Sequence, residues 1–295
     1  MKCKIVLIGP GRLGQAVIKL LHEAGHEICA VIGREESRAR AAARFAGCRG
    51  EIGGIDFSLA ERGNVVLLAV PDDLIEPTAR MLHHEGLLQP DAILIHFSGL
   101  HTAAVMAGSD QEKTRCLSLH PLQTFADAVI GVQNLPGTPF AVEGAEELLP
   151  LAEQLVEDMG GTSFRLASEF KVLYHSAACI ASNYMISLID VACEIMQACG
   201  QERNEAFRLL LPLLRGTAMN LSALGPELAL TGPISRGDAG TVSAHLHALQ
   251  KMDTDTQKIY RALGRKTVDL ALKGKRITPL QAEKILAALD PEEGP

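Results

Sequence analysis

Apolar residues follow two rhythms along this chain. In the first half, short unbroken apolar runs alternate with stretches of helical period; in the second half only the helical period remains. The runs Lys4–Ile8, Glu27–Ile32, Asn64–Val70, Ala92–Phe97 and Arg115–His120 read as buried strands. Between them lie helices. Residues 12–24 place Val17, Leu20 and Leu21 on one face and end at Gly25. Ser37–Phe45 is rich in Ala and Arg, and a third helix runs to His84 from a cap at Asp72. Strands apolar on both faces, with helices between them, predict a parallel sheet covered on each side. Pro139–Val142 adds a strand, Glu146–Met159 a helix and Thr162–Leu166 a last extended piece. Helices are then expected over Ser168–Cys199, Glu202–Ala223, Thr241–Gln250, Asp253–Leu272 and Pro279–Leu289. The change of rhythm divides the chain into 1–166, an α/β domain, and 167–295, an all-helical domain.

The first turn carries chemistry. Gly9, Pro10, Gly11, Arg12, Leu13 and Gly14 form a GxGxxG after a strand and at the start of a helix, the context in which the pattern means a dinucleotide site and a Rossmann-type sheet. Gly9 allows the tight turn, Gly11 lets backbone approach the pyrophosphate, and Gly14 lets helix pack on strand. The helix N-terminus offers its free N–H groups to the phosphates. At the end of the second strand, where an NAD site places a carboxylate on the ribose, the chain has Gly33 followed by Arg34. Glycine leaves room for a 2′-phosphate and the guanidinium pairs with it, so the expected cofactor is NADP. Ser37 and Arg38 are further candidates on that side; the competing reading gives the ribose to Glu35 or Glu36. Val70, Pro71, Ser98 and Gly99 close later strands at the ligand-binding end of such a sheet.

Composition narrows the rest. Over 295 residues, 47% are hydrophobic and 21% charged, which supports a packed core. The net charge of −7, the scattered basic residues and the absence of Trp argue against nucleic-acid binding. No segment reads as a membrane span, because Asn183, Asp190 and Glu194 interrupt the most apolar helix. The chain opens directly on a strand without a leader pattern, and its 7 cysteines form no CxxC pair. Free thiols in a reducing, cytoplasmic setting and no metal site are the expectation.

Four polar residues stand out near the domain junction. Lys171 and His175 lie four apart on one predicted helix whose face continues to Asn183. His120 ends a strand just before Pro121, where a site residue of a parallel sheet belongs. Lys171 is the first candidate for donating a proton or hydrogen bond, with His120 and His175 as rivals. Each also has a plain structural reading: a solvated lysine, a satisfied core histidine, a turn brace. In the second domain Arg236, in a Gly-Pro loop, can clamp a carboxylate or pair with a neighbouring helix.

Several segments together carry a resemblance: GPGRLG at Gly9–Gly14, AVPD at Ala69–Asp72, HFSG at His96–Gly99, HPLQTF at His120–Phe125, YHSAACIASNY at Tyr174–Tyr184 and TGPISRGD at Thr231–Asp238. The chain resembles the bacterial candidate oxidoreductases that join a Rossmann-like domain to the domain of unknown function DUF2520. It is similar, more distantly, to the 6-phosphogluconate dehydrogenase-like superfamily, including ketopantoate reductase, pyrroline-5-carboxylate reductase and the β-hydroxyacid dehydrogenases. The resemblance implies hydride transfer and a helical domain that builds a homodimer. In the ketopantoate reductase branch an acid/base Lys is followed four residues on by Asn; here those positions are Lys171 and His175. The readings that follow are NADPH-dependent reduction of a small polar carbonyl compound, such as a 2-keto acid like ketopantoate, reduction of an imine, and an NADP-binding regulatory protein without turnover. A homodimer is also expected from the helices themselves. Ile180, Met185, Ile186, Leu188, Ile189, Val191 and Ile195 fit no single narrow stripe, and Phe207, Leu209, Leu210, Leu211, Leu213 and Leu214 crowd the next helix.

Overall fold

The computed structural model describes residues 2–48, 51–52, 54, 56–108 and 115–290. They form two compact units, Met1–Ala181 and Ser182–Pro295. The division falls one helix later than the change of rhythm at Leu166. The helix after Phe170 is tied to the sheet by hydrogen bonds from Lys171 to Ser118 and between Tyr174 and His120.

In the first unit the strands are β1 (Lys4–Ile8), β2 (Glu27–Ile32), β3 (Glu51–Ile52), β4 (Val65–Leu68), β5 (Ile93–His96), β6 (Arg115–Pro121), β7 (Pro139–Gly144) and β8 (Thr162–Arg165). They make one sheet in the order β3-β2-β1-β4-β5-β6-β7-β8. Growth of the sheet reverses between β1 and β4, which opens a crevice outside the carboxyl ends of these strands. Neighbours are parallel except β6 and β7, which pair antiparallel. Neither that reversal nor β3 was anticipated: a two-residue strand has no period, and an apolar run does not record the direction of its neighbour.

Strand alternation divides the core between two faces. Ile5, Leu7, Val31, Leu67, Ile95, Leu117 and Leu119 pack on the side of α1 (Arg12–Glu23), α2 (Glu36–Ala46) and α5 (Leu149–Asp158). Val6, Ile8, Ile32, Val66, Leu68 and Leu94 pack on the side of α3 (Asp72–His84) and a 3-10 turn at Ala103–Met106. The short α4 (Ala128–Asn134), capped by the Asp127 carboxylate, was not foreseen. Pro71, not Asp72, is the N-cap of α3; the Asp72 carboxylate is engaged elsewhere. The unit closes with α6 (Lys171–Ala181) after a 3-10 turn at Ser168–Phe170.

The second unit contains α7 (Asn183–Ala198), α8 (Arg203–Ala229), α9 (Ala239–Leu249), α10 (Thr254–Lys273) and α11 (Pro279–Leu289). Side-chain caps set several starts: Asp238 accepts from Thr241 N (2.9 Å), Asp253 accepts from Thr256 N (2.9 Å), and Thr278 with Gln281 makes a capping box. The core is drawn from α9, α10, α11 and the residues leading into them, including Ile234, Val242, Leu246, Val268, Ile285 and Leu289. By contrast α7 and α8 bury only Cys193 and Ala206, while Tyr184, Ile186, Leu213 and Met219 are well exposed. The helix expected to stop at Ala223 runs on through a kink at Gly225, whose φ of 73° glycine adopts freely. The single helix expected over Ser168–Cys199 is interrupted at Ser182. In length and composition alone, Ser168–Ala198 reaches the level of a membrane-crossing helix. Its acidic Asp190 is paired with Arg203. The seven cysteines form no disulfide among the described residues; Cys3, Cys116 and Cys193 are buried and Cys199 is exposed.

Candidate active site

The glycine turn forms as its residue types require. Gly9 has φ 96°, and a Cβ there would stand 2.5 Å from the Ala69 carbonyl oxygen. A Cβ on Gly14 would lie 2.5 Å from the Gly9 oxygen, so the bare glycine is what lets α1 seat against the β1 turn. A Cβ on Gly11 would meet nothing within 4 Å: the space above it is open. Gly11 is the N-cap of α1 and provides no side-chain cap. The first N–H groups of the helix, from Arg12 and Leu13 onward, are therefore available to an anion.

A cavity of about 430 Å³ lies over this turn, lined by Gly9, Pro10, Gly11, Gly33, Arg34, Glu35, Arg38, Val70 and Pro71 among others. Gly33 lines the cleft, and a Cβ there would be 2.7 Å from the Pro10 ring, so the glycine also accommodates the proline. The charged residues of the cleft come next in the chain. Arg38 pairs with Glu35 (3.0 Å) and Arg40 pairs with Glu36, so both carboxylates that could take a ribose are engaged. Arg34 lines the cleft and has no ion pair among the described residues. Ser37, on the exposed first turn of α2, does not line the cavity.

A second constellation sits at the same end of the sheet. Strand register puts His96, Ser118 and Glu143 side by side across β5, β6 and β7. All three are buried, on the face that carries α3. Their polar atoms are satisfied by a network. His96 Nδ1 accepts from Ser98 N (3.0 Å) and its Nε2 faces the Thr102 carbonyl (3.1 Å), which fixes the neutral Nε2–H form. Glu143 accepts from Ala103 N (2.7 Å) and from Ser168 Oγ (2.7 Å), tying β7 to the approach to α6. Lys171 is fully buried and its ammonium donates to Ser118 Oγ. Ser98 Oγ donates to Asp72 (2.9 Å) and accepts from Leu100 N and His101 N (3.1 Å each).

Above this floor lie the aromatic side chains. His120 Nδ1 is 2.7 Å from the Tyr174 hydroxyl. Tyr174 and His175 meet the His120 ring edge-on, with centroids at 5.5 Å and 5.9 Å. Gly99 closes the group: a Cβ there would stand 2.5 Å from the His175 ring and 2.8 Å from His120 Nε2.

Burial sets the protonation states. Desolvation lowers Lys171 to about 8, the carboxylates of Glu143 and Asp72 opposing the shift, so the amine remains cationic at neutral pH. Desolvation, then the charges of Lys171 and His175, lower His120 to about 4. Desolvation likewise takes His96 to about 3 and raises the Tyr174 phenol to about 12. At neutral pH the site thus holds one buried cation, two neutral imidazoles and a protonated phenol.

Of the residues singled out in the sequence, Lys171, His120 and His175 come together. Gly9, Pro10, Gly11, Gly33, Arg34, Arg38, Val70 and Pro71 line one cleft. Ser98 and Gly99, expected at the ligand-binding end of the sheet, adjoin the imidazole cluster. Asn183 and Arg236 fall in the second unit, the one at the start of α7 and the other at the end of a 3-10 turn. Ser118, Glu143, Asp72 and Tyr174 were not anticipated as site residues. Two had a signal: Ser118 shares a strand face with His120, two residues on, and Tyr174 lies on the helix face of Lys171.

Two family models match this chain. Residues 4–97 match the NADP oxidoreductase, coenzyme F420-dependent, model, and residues 138–267 match DUF2520. The chain thus joins a part similar to NADP oxidoreductases to a part similar to DUF2520. Protein TM1727 from Thermotoga maritima superposes with a TM-score of 0.74 at 27% identity, over 92% of this chain and 99% of that one. The candidate NADP oxidoreductase BF3122 from Bacteroides fragilis gives a TM-score of 0.67 at 24% identity, over 91% and 98%. The 1-pyrroline-5-carboxylate reductase of Streptococcus pyogenes has the same fold, with a TM-score of 0.59 at 20% identity over 92% and 99%. No curated protein matches.

Proposed function

We propose that the protein is an NADPH-dependent reductase of a small polar compound carrying a C=O bond, a 2-keto acid being the leading class. The observation that carries this reading is the location of two sites at one end of one sheet: a glycine-walled cleft and a cluster of buried, tuned polar groups. The link between them is short, because Pro71 lines the cleft and the adjacent Asp72 is hydrogen-bonded to Ser98. The residues fit the dinucleotide. Open space over Gly11 and uncapped helix N–H groups suit a pyrophosphate, and Arg34, without an ion pair among the described residues, suits a 2′-phosphate.

When bound, the reduced nicotinamide supplies a hydride to the substrate carbon and is itself oxidised. The chain's own part is to receive the charge that then grows on oxygen. His120 is the candidate to touch that oxygen: its ring is only partly buried, and Nε2 carries no hydrogen bond among the described residues. The Lys171 ammonium is sealed on Ser118 and acts as a fixed positive charge beneath the site rather than as the group in contact. A solvent proton completes the hydroxyl.

A second reading, reduction of a cyclic imine, is favoured by one observation: neither the sealed Lys171 nor the neutral His120 is a strong acid at neutral pH, and a C=N bond demands less of one. The fold of the pyrroline-5-carboxylate reductase neighbour is compatible with it. Oxidation of NADPH, followed by absorbance across panels of 2-keto acids and cyclic imines, separates the readings. Tight NADPH binding with no turnover on either panel would instead favour a regulatory protein. We also propose a homodimer through α7 and α8, whose Tyr184, Ile186, Leu213 and Met219 are left exposed. A single sedimenting species at 31.5 kDa would end that proposal.

A further inference from the structure

We infer that Tyr174 is a positioning residue that holds His120 in its Nε2–H form, so that a neutral imidazole offers Nε2–H to the heteroatom of the bond being reduced. The substrate-facing half of this inference rests on the reductase reading above; the tautomer does not. Tyr174 lies one helical turn after Lys171 on α6, which brings its hydroxyl to 2.7 Å from His120 Nδ1. Of the two partners, the phenol is the better donor and an imidazole nitrogen the better acceptor, so the O–H donates to Nδ1. A neutral ring has one proton, and with the Nδ1 lone pair occupied it must sit on Nε2.

The groups around the ring keep it neutral. Lys171 on α6 is cationic and close enough to disfavour a second charge, and His175 acts in the same sense. His96 on β5 is itself neutral, with both nitrogens committed to Ser98 N and the Thr102 carbonyl. Tyr174, with its phenol raised to about 12, stays protonated and cannot supply an anion to draw a proton onto the ring. Gly99 lets the ring sit where it does: a Cβ there would stand 2.8 Å from Nε2. The ring is only partly buried, and Nε2 has no hydrogen bond among the described residues. A neutral N–H stabilises developing negative charge through a hydrogen bond and does not have to surrender its proton.

The test is imidazole nitrogen NMR on the full chain labelled at histidine, in the wild type and in Tyr174→Phe. In the wild type, His120 should give an unprotonated Nδ1 and a protonated Nε2, unchanged from pH 8 to pH 5.5. In Tyr174→Phe the two tautomers should mix. A wild-type His120 protonated at Nδ1, or a Tyr174→Phe spectrum identical to wild type, overturns the inference. The wild-type measurement needs no variant to fold. On whichever substrate panel gives turnover, Tyr174→Phe should lower kcat about tenfold, with the KM for NADPH unchanged. An unaltered kcat alongside mixed tautomers overturns the donor role. No turnover on any substrate with the wild-type tautomer as stated sinks the reductase reading and the substrate role with it, leaving Tyr174's hold on His120 in place.

Discussion

The nucleotide cleft and the imidazole cluster occupy the same end of the same sheet and are built by opposite means. The cleft is made of what is absent: Gly9, Gly11 and Gly14 remove side chains so that backbone N–H groups, a helix end and one arginine can meet a ligand. The cluster is made of what is present: buried side chains from β5, β6, β7 and α6 satisfy one another and set one another's charge. A backbone site tolerates changes outside its few glycines. A side-chain network transmits the loss of any member to the rest. The two halves should therefore fail differently, and that difference can be measured.

The largest effect is expected at Gly9. A valine there would carry a branched side chain at φ 96°, against the Ala69 carbonyl at 2.5 Å. Gly9→Val should abolish NADPH binding in a titration. His120 should meanwhile keep its NMR signature, because the cluster draws no atom from the glycine turn. Loss of both together would mean that the two sites are one cooperative structure and the comparison is wrong.

The reciprocal change is Gly99→Ala. Its Cβ would fall 2.5 Å from the His175 ring and 2.8 Å from His120 Nε2, so the imidazoles must move. Displacement of a site group by about 1 Å can cost about 100-fold in rate, and that is the loss of turnover expected here. NADPH affinity should stay within a few-fold of wild type. Turnover at the wild-type level would remove His120 and His175 from the reaction.

The contrast also explains what could be read from the sequence. GPGRLG at Gly9–Gly14 is local: strand, turn and helix start lie within a dozen residues, so the pattern carries its own context. The bounds of α11, Pro279–Leu289, rest on an equally local signal, its helical period, and the structure adds a capping pair at its start. The cluster is not local. Glu143 is part of it only because β7 pairs antiparallel with β6 and lands Glu143 opposite Ser118. Nothing in a run of apolar residues specifies that register. Lys171 was legible as a polar residue on an apolar helix, yet its burial and its partner depend on the same sheet order. Gly33 is expected from the sequence to leave room for a ligand, and the structure adds a second demand, since a Cβ there would stand 2.7 Å from the Pro10 ring.

Within the cleft, Arg34 should account for cofactor preference. Glu35 and Glu36 are each held by an arginine of α2, and Arg34 alone faces the cavity unpaired among the described residues. A charge-assisted hydrogen bond contributes about 1.5–3 kcal/mol, roughly ten- to hundredfold in affinity. Arg34→Ala should weaken NADPH by that factor and leave NADH nearly unchanged. Unaltered protein that binds NADH as well as NADPH would end the NADP assignment. Against the comparison itself, a fall in NADH affinity equal to that of NADPH would mean Arg34 shapes the turn rather than reads the ligand.

The smallest effect is a pH dependence belonging to the cluster alone. His96 and His120 are held below their ordinary value near 6.5, at about 3 and about 4, chiefly by burial. In the unfolded chain both rings take up a proton as pH falls through 6.5, whereas in the folded chain neither does until much lower. Between those limits the unfolded state binds more protons, so stability must fall as pH drops from 6.5 toward 4. The cleft has no histidine among its lining residues to add to this effect. His96→Asn keeps an acceptor for the Ser98 N–H but removes the titrating ring. It should be less stable than wild type at pH 7 and should lose less of its stability on acidification. Urea midpoints at pH 7, 5.5 and 4.5 check this, the range being kept above the carboxylates that hold helix caps at Asp238 and Asp253, whose pKa values are lowered by those same hydrogen bonds. The quantity that decides is the difference of differences. If wild type and His96→Asn lose the same stability between pH 7 and 4.5, then His96 is not held neutral by its burial, and the floor of the cluster does not set charge as described.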